Sequence, residues 1–343
     1  MEKQYREYYA AANGYSGFRT YFGEVFPKEK LSKIFILKGG PGTGKSTLMR
    51  KILNCFSEKG FDCEAIFCSS DRSSLDGIII GGKVAIIDGT APHEVDAKLP
   101  GALDEIVNLG EGWDFEKLEK SRSVIEELNK NKKQNYDSAY KYLSFSGNIH
   151  NYKIQLLSEC FDFDTAHSFI YNIVKEFKKE ADTAEKLLVS SFSKDGYRRC
   201  AYLGLELRKY YSVIGNNGEA ELFFKVFKEI VNGSFPIMIF PSPFDDKVTE
   251  GIYFKREKIL FLTSSEEGEI INASDFLKEI PGEEIEFLNK NESEYLEKSK
   301  LYFTKASENH FWLEDIYKDA MDFNSNDKSV RRLCERIEKI LSY

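Results

Sequence analysis

Apolar residues follow two rhythms along this chain. Short unbroken runs, Ile34–Leu37, Ile78–Ile80 and Val84–Ile87, read as strands, the first of them a buried parallel strand. Between the first two lies a helix-spaced set, Leu48, Met49, Ile52, Leu53 and Phe56, which falls on one side of a helix. Cys63 to Cys68 reads as a further strand, and Gly81-Gly82 splits the next two runs into a hairpin or two short strands. Ahead of these, residues 5–12 read as extended and close at a turn, Asn13-Gly14. Gly17 to Phe26 is expected to form a short helix. From Asp114 the rhythm changes. Residues 115–147 and 151–183 are rich in Glu, Lys, Leu and Tyr at helical spacing, which predicts two or three long helices with solvated charged faces.

The second half repeats the first. Arg208–Gly218 stands where the first strand and its loop stood, and Leu222–Ile230 where the helix stood. Ile237–Ser242 echoes Ala65–Ser69, Glu250-Gly251-Ile252 echoes Asp76-Gly77-Ile78, and Ile259–Leu262 echoes Val84–Ile87. Tyr142 and His150 recur as Tyr302 and His310, and Phe161-Asp162-Phe163 as Met321-Asp322-Phe323, at one constant separation. Gly17-Phe18-Arg19 recurs as Gly196-Tyr197-Arg198, and the segment after the third strand is shorter in the second copy. The expected fold is therefore α/β, with two pseudo-repeated units of small, mainly parallel sheets plus long helices. The units are residues 1–183 and 184–343, each with a helical extension.

The chemistry sits in the first copy. Gly39-x-x-x-x-Gly44-Lys45-Ser46 satisfies the Walker A pattern, directly after a strand and before a helix. Glycines let the backbone approach a phosphate chain, and the helix adds the positive end of its dipole. Gly39, Gly40, Pro41, Gly42, Thr43, Gly44, Lys45, Ser46 and Thr47 are thus the candidate nucleotide-binding residues. Lys45 would reach the β- and γ-phosphates, and Ser46 would ligate Mg²⁺. Val84-Ala-Ile-Ile-Asp88 has the Walker B form, placing Asp88 where an α/β sheet opens its ligand crevice and making it the second Mg²⁺ ligand. Gly89 follows it, where many ATPases carry a glutamate, so the general base is sought at Asp71 first, then Asp76 and Glu94, with His93 nearby. In the second copy Glu221 falls near the place of Lys45, Leu222 at that of Ser46 and Thr263 at that of Asp88. A carboxylate there repels phosphate.

Composition narrows the class. The chain has 343 residues, of which 42% are hydrophobic, enough for two domains with real cores. Lys plus Arg is 48 against 56 for Asp plus Glu, a net charge of −8, which argues against a nucleic-acid-coating surface. Six scattered cysteines without a C-x-x-C pair, and four histidines away from metal-ligand spacing, argue against structural zinc. The start, Met-Glu-Lys-Gln-Tyr-Arg, has no signal-like apolar core, and no window is apolar enough to span a membrane. A cytoplasmic, soluble protein is expected.

Three phrases together, Ile34–Ser46, Cys68-Ser-Ser-Asp71 running to Leu75-Asp-Gly77, and Ile87-Asp-Gly-Thr-Ala-Pro-His93, resemble a little-characterised bacterial family of tandem P-loop ATP-binding proteins. The resemblance covers nearly the whole chain and implies ATP binding, supplying no reaction. Members of that family usually keep a working P-loop in the second half, and this chain departs there.

Slow ATP hydrolysis is the leading expectation, with two alternatives beside it. This first reading is Mg²⁺-dependent ATP hydrolysis in the first half with an inactive second half, served by an arginine finger from Arg19, Arg198, Arg199 or Arg208. The second is a small-molecule or nucleotide kinase; only Arg72 and Arg122 occur between residues 60 and 183, too few for an arginine-rich lid. The third is a non-enzymatic ATP-sensing module. An unknown protein partner or phosphate acceptor is implied by the first two. GTP is disfavoured because Asn289-Lys290-Asn291-Glu292, the nearest thing to a guanine-reading motif, lies in the wrong copy and ends in Glu.

Overall fold

A computed structural model describes residues 5–182, 184–263, 268–279 and 282–342. The first unit runs β1 (Arg6–Tyr9), β2 (Ala11–Gly14), β3 (Gly17–Thr20), α1 (Phe22–Val25), β4 (Lys33–Lys38), α2 (Lys45–Glu58), β5 (Cys63–Phe67), β6 (Leu75–Ile80), β7 (Val84–Asp88) and β8 (Asp104–Asn108). Helices α3 (Phe115–Lys120), α4 (Arg122–Cys160) and α5 (Phe163–Val174) follow. The second unit has β9 (Glu185–Lys186), β10 (Ser190–Ser193), β11 (Gly196–Arg199), β12 (Lys209–Ile214), α6 (Glu219–Val231), β13 (Ile237–Pro241), β14 (Thr249–Phe254), β15 (Ile259–Thr263) and β16 (Glu269–Asn272). It closes with α7 (Gly282–Asp319) and α8 (Asn324–Leu341).

The two sheets have one topology. The first is ordered β1-β5-β6-β7-β4-β8, and only β6 runs against its neighbours. The second is ordered β9-β13-β14-β15-β12-β16, and only β14 runs against its neighbours. Each unit adds a two-stranded antiparallel hairpin, β2–β3 or β10–β11. The fold is mixed α/β with two mainly parallel six-stranded sheets, and the strand-by-strand match agrees with an internal repeat.

The central strands of each sheet are apolar on both faces because each face is covered there. On the outer face of the first sheet, Leu48, Met49, Ile52, Leu53 and Phe56 of α2 are buried, the five positions that the helical spacing marks. The inner faces of the two sheets share one core, in which Ile34, Ile36, Ala85 and Ile87 join Met238, Phe240, Leu260 and Leu262. Burial on both faces accounts for the unbroken apolar runs.

The helical extensions cross over. α4 leaves the first unit and ends at the second, where Leu157 and Phe161 enter the core of α6. Ala166, Ile170 and Val174 of α5 pack there as well. α7 begins beside that core with Ile285 and ends against the first unit. Leu333 and Ile337 of α8 then complete the core of α2. Among the described residues no helix is long and apolar enough to cross a membrane.

Three local expectations need correction. The first turn is Tyr15-Ser16, with Asn13 and Gly14 inside β2, because Asn13 pairs with Phe18 across the hairpin. Gly17 to Phe26 is split between β3 and the single turn α1, its first part drawn into that hairpin. Residues 115–160 give one long helix after a short one, since nothing in 147–151 breaks α4.

Candidate functional site

The Gly39–Ser46 loop joins β4 to α2 at the C-terminal edge of the first sheet, directly between the ends of β7 and β8. Gly42 and Gly44 have φ of 72° and 82°, left-handed values that suit glycine. The Thr43 hydroxyl donates to the Gly40 carbonyl at 2.8 Å and closes the turn. No side chain caps α2, whose first turn follows Gly44 directly, so its opening N–H groups are presented at the loop.

Lys45 is folded into this loop. Its Nζ donates to the carbonyls of Gly39 at 2.7 Å and Gly40 at 2.9 Å, and lies 3.7 Å from Asp88 Oδ2. Burial pulls its pKa down, opposed by the Asp88 carboxylate. A largely buried ammonium held by two neutral carbonyls and one carboxylate gains from any anion seated on the loop. Asp88 Oδ1 accepts from the Thr90 N–H at 2.9 Å and hydroxyl at 2.6 Å, which fixes the carboxylate at the end of β7. Ser46 Oγ accepts from the Leu75 N–H at 3.1 Å. One hydroxyl and one carboxylate suit Mg²⁺, which is held by one or two carboxylates together with phosphate oxygens. Among the described residues no three His, Cys, Asp or Glu side chains gather as a metal cage.

The candidate bases separate. Asp71 sits in the loop after β5, where Oδ1 accepts from the Ser73 N–H and hydroxyl, and Lys194 Nζ lies 3.7 Å from its Oδ2. Glu94 is exposed. Asp76 and His93 are both buried, with His93 Nε2 3.2 Å from Asp76 Oδ2, and the Asp76 charge is felt at Lys45. The His93 ring lies against Phe22 and Phe18. Of the arginines considered as fingers, Arg19 donates to Pro243 O at 2.9 Å and Arg199 to Thr263 O at 2.6 Å, so both serve the second unit's edge.

Sequence reasoning missed what lies over the loop. A Cβ on Gly42 would meet the Glu314 carbonyl at 2.5 Å, and one on Gly40 the Tyr317 ring at 3.2 Å. Asn326 Nδ2 donates to the Thr43 carbonyl at 2.8 Å. The end of α7 and the start of α8 therefore cover the loop, and His310 on α7 feels the charges of Lys132, Lys45 and Asp71. The pairing of His310 with His150 in the repeat was the available signal.

The second unit's loop is built the same way and plugged. Gly218 precedes α6 in a left-handed conformation, as Gly44 precedes α2. This puts Glu219 at the place of Lys45 and Ala220 at that of Ser46, correcting the assignment of Glu221 and Leu222; the loop has lost two residues. Thr263 does end β15 as Asp88 ends β7. Glu219 is fully buried, and its carboxylate accepts from the Asn217 backbone N–H and side-chain amide, both at 2.8 Å. The loop's own carboxylate thus takes the N–H that an anion would use. Glu221 instead faces His150 Nε2 at 2.9 Å.

A family model described as Nephrocystin 3, N-terminal, matches residues 21–79, a span that holds the Gly39–Ser46 loop with its strand and helix and stops before Asp88. No curated protein and no solved structure matches the chain.

Proposed function

We propose that the first unit binds Mg-ATP and hydrolyses it slowly, while the second unit binds no triphosphate and acts as a structural partner. The observation that carries this reading is the contrast between two equivalent loops, Lys45 and Asp88 in one against Glu219 and Thr263 in the other. The two sheets share one topology, while one loop carries a lysine and the other a buried carboxylate.

In this reading the loop N–H groups and Lys45 hold the β- and γ-phosphates, and Ser46 with Asp88 holds Mg²⁺. The metal supplies charge neutralisation at the phosphate oxygens. Asp76, buried beside His93 and in electrostatic contact with Lys45, is better placed than Asp71 to take the proton of an attacking water. Gly89 after Asp88 supports a second reading, in which binding alone acts as the signal. The tandem P-loop ATP-binding family is retained as the proposed kinship, and an unidentified protein or phosphate acceptor as the proposed partner. All six cysteines are free thiols, which suits the reducing cytoplasm as the proposed location.

The test is phosphate release from Mg-ATP, with binding measured by calorimetry on the same samples, beside Lys45→Ala. The variant is expected to weaken binding at least tenfold and abolish turnover. Unchanged binding in Lys45→Ala would sink the reading. Binding without turnover would transfer it to the sensing form.

A further inference from the structure

We infer that the nucleoside of the bound triphosphate is held by the second unit's last helix, in a cleft between the first turns of α2 and α8. The inference rests on the ATP reading above. Its ground is the geometry on either side of β4. Asp88 ends β7 on one side, so the γ-phosphate end lies there. The rest of the nucleotide leaves toward the other side, where β8 runs and where Asp322 N donates to Gly112 O at 2.8 Å.

A cleft of about 240 Å³ lies on that side, walled by Gly44, Thr47 and Lys51 from the loop and α2 and by Phe323, Asn326 and Asp327 from the start of α8. Pockets for whole ligands usually run from roughly 300 Å³ upward. This one suits the nucleoside alone, with the phosphates lying along the loop beside it. Phe323 lines the cleft, is 43% exposed, and has its ring close to Gly44, offering an apolar face to a base. Lys51 and Asp327 pair at 2.7 Å on the same two helices.

Asn326 ties the cleft to the loop. It is only 8% exposed, and its Nδ2 donates to the Thr43 carbonyl at 2.8 Å, which fixes the amide's orientation. The second unit's extension thereby reaches the first unit's loop at the cleft wall.

The experiment measures binding of Mg-ATP and Mg-tripolyphosphate to the intact chain and to Phe323→Ala and Phe323→Tyr. Tripolyphosphate has no base, so it reports the loop alone and also serves as the folding control. The wild-type chain is expected to bind ATP at least tenfold more tightly than tripolyphosphate. Phe323→Ala should weaken ATP binding about tenfold or more and leave tripolyphosphate unchanged, and Phe323→Tyr should restore ATP binding. Phe323→Ala acting equally on both ligands, or on neither, overturns the cleft while leaving the loop reading intact. A wild-type chain that binds neither ATP nor tripolyphosphate overturns both.

Discussion

Gly42 carries two constraints at one atom. Its φ of 72° costs an L-residue about 1–2 kcal/mol, and a Cβ there would lie 2.5 Å from the Glu314 carbonyl on α7. Gly42→Ala is therefore expected to destabilise the protein by about 2–3 kcal/mol in urea unfolding. Gly101→Ala, at φ 78° with nothing within 4 Å, should lose only about 1 kcal/mol. Equal losses at the two sites would show that α7 does not bear on the loop. His150 makes a prediction in pH. Burial alone would lower its pKa, but hydrogen bonds to Glu221 and Glu292, both at 2.9 Å, raise it to about 9. Lys153 faces the same Glu292, and the Tyr15 ring lies beside the imidazole. A folded pKa above the unfolded one gives stability that is complete below pH 6.5 and lost as the pH rises through about 9. Between those limits the wild type should lose about 3 kcal/mol that His150→Gln does not lose. Parallel profiles for the two proteins would contradict the ion-paired imidazolium.

Elements differ in how plainly the sequence announces them. β4, α2, β5, β6 and β7 are legible because each is a local pattern closed by local punctuation, and the Gly39–Ser46 loop is a contiguous motif. A single separation places the second loop two residues off, because it cannot register a short deletion inside a repeat. The left-handed Gly218 marks the true start of α6 and hence the role of Glu219. What α7 and α8 pack against was not legible at all. An apolar stripe says that a helix is buried, and leaves its partner open. Leu333, fully buried on α8, shows the consequence, since it lies in the core of α2 from the other unit. Leu333→Ala should cost about 2–5 kcal/mol. It should also loosen the cover over Thr43, read as faster amide exchange in the Gly39–Ser46 loop than in the equivalent Gly215–Glu219 loop. Equal exchange in both loops would show that α8 does not hold the cover.

At the scale of the molecule, the repeat makes two sheets but not two independent bodies. The sheets share an inner core in which Ile36, Ile87, Phe240 and Leu262 are all nearly inaccessible to solvent. The extensions are exchanged, so the first sheet is covered on its outer face partly by α8 and the second by α5. A chain of residues 1–183 alone would expose the inner face of its sheet and the part of α2 that Leu333 and Ile337 cover, while α5 would have no core to enter. Apolar area on that scale does not stay in water without association. The fragment is therefore expected to aggregate or remain unfolded. Co-expression with residues 184–343 should yield a complex that unfolds in one transition, as the intact chain should. A monomeric 1–183 fragment with cooperative unfolding would show that the exchange is a late docking step. The first unit would then be a self-sufficient domain, and the second unit's hold on the loop would be free to open and close. If the fragment does not fold, that cover is part of the fold itself, and a nucleotide bound as proposed would act on both units together.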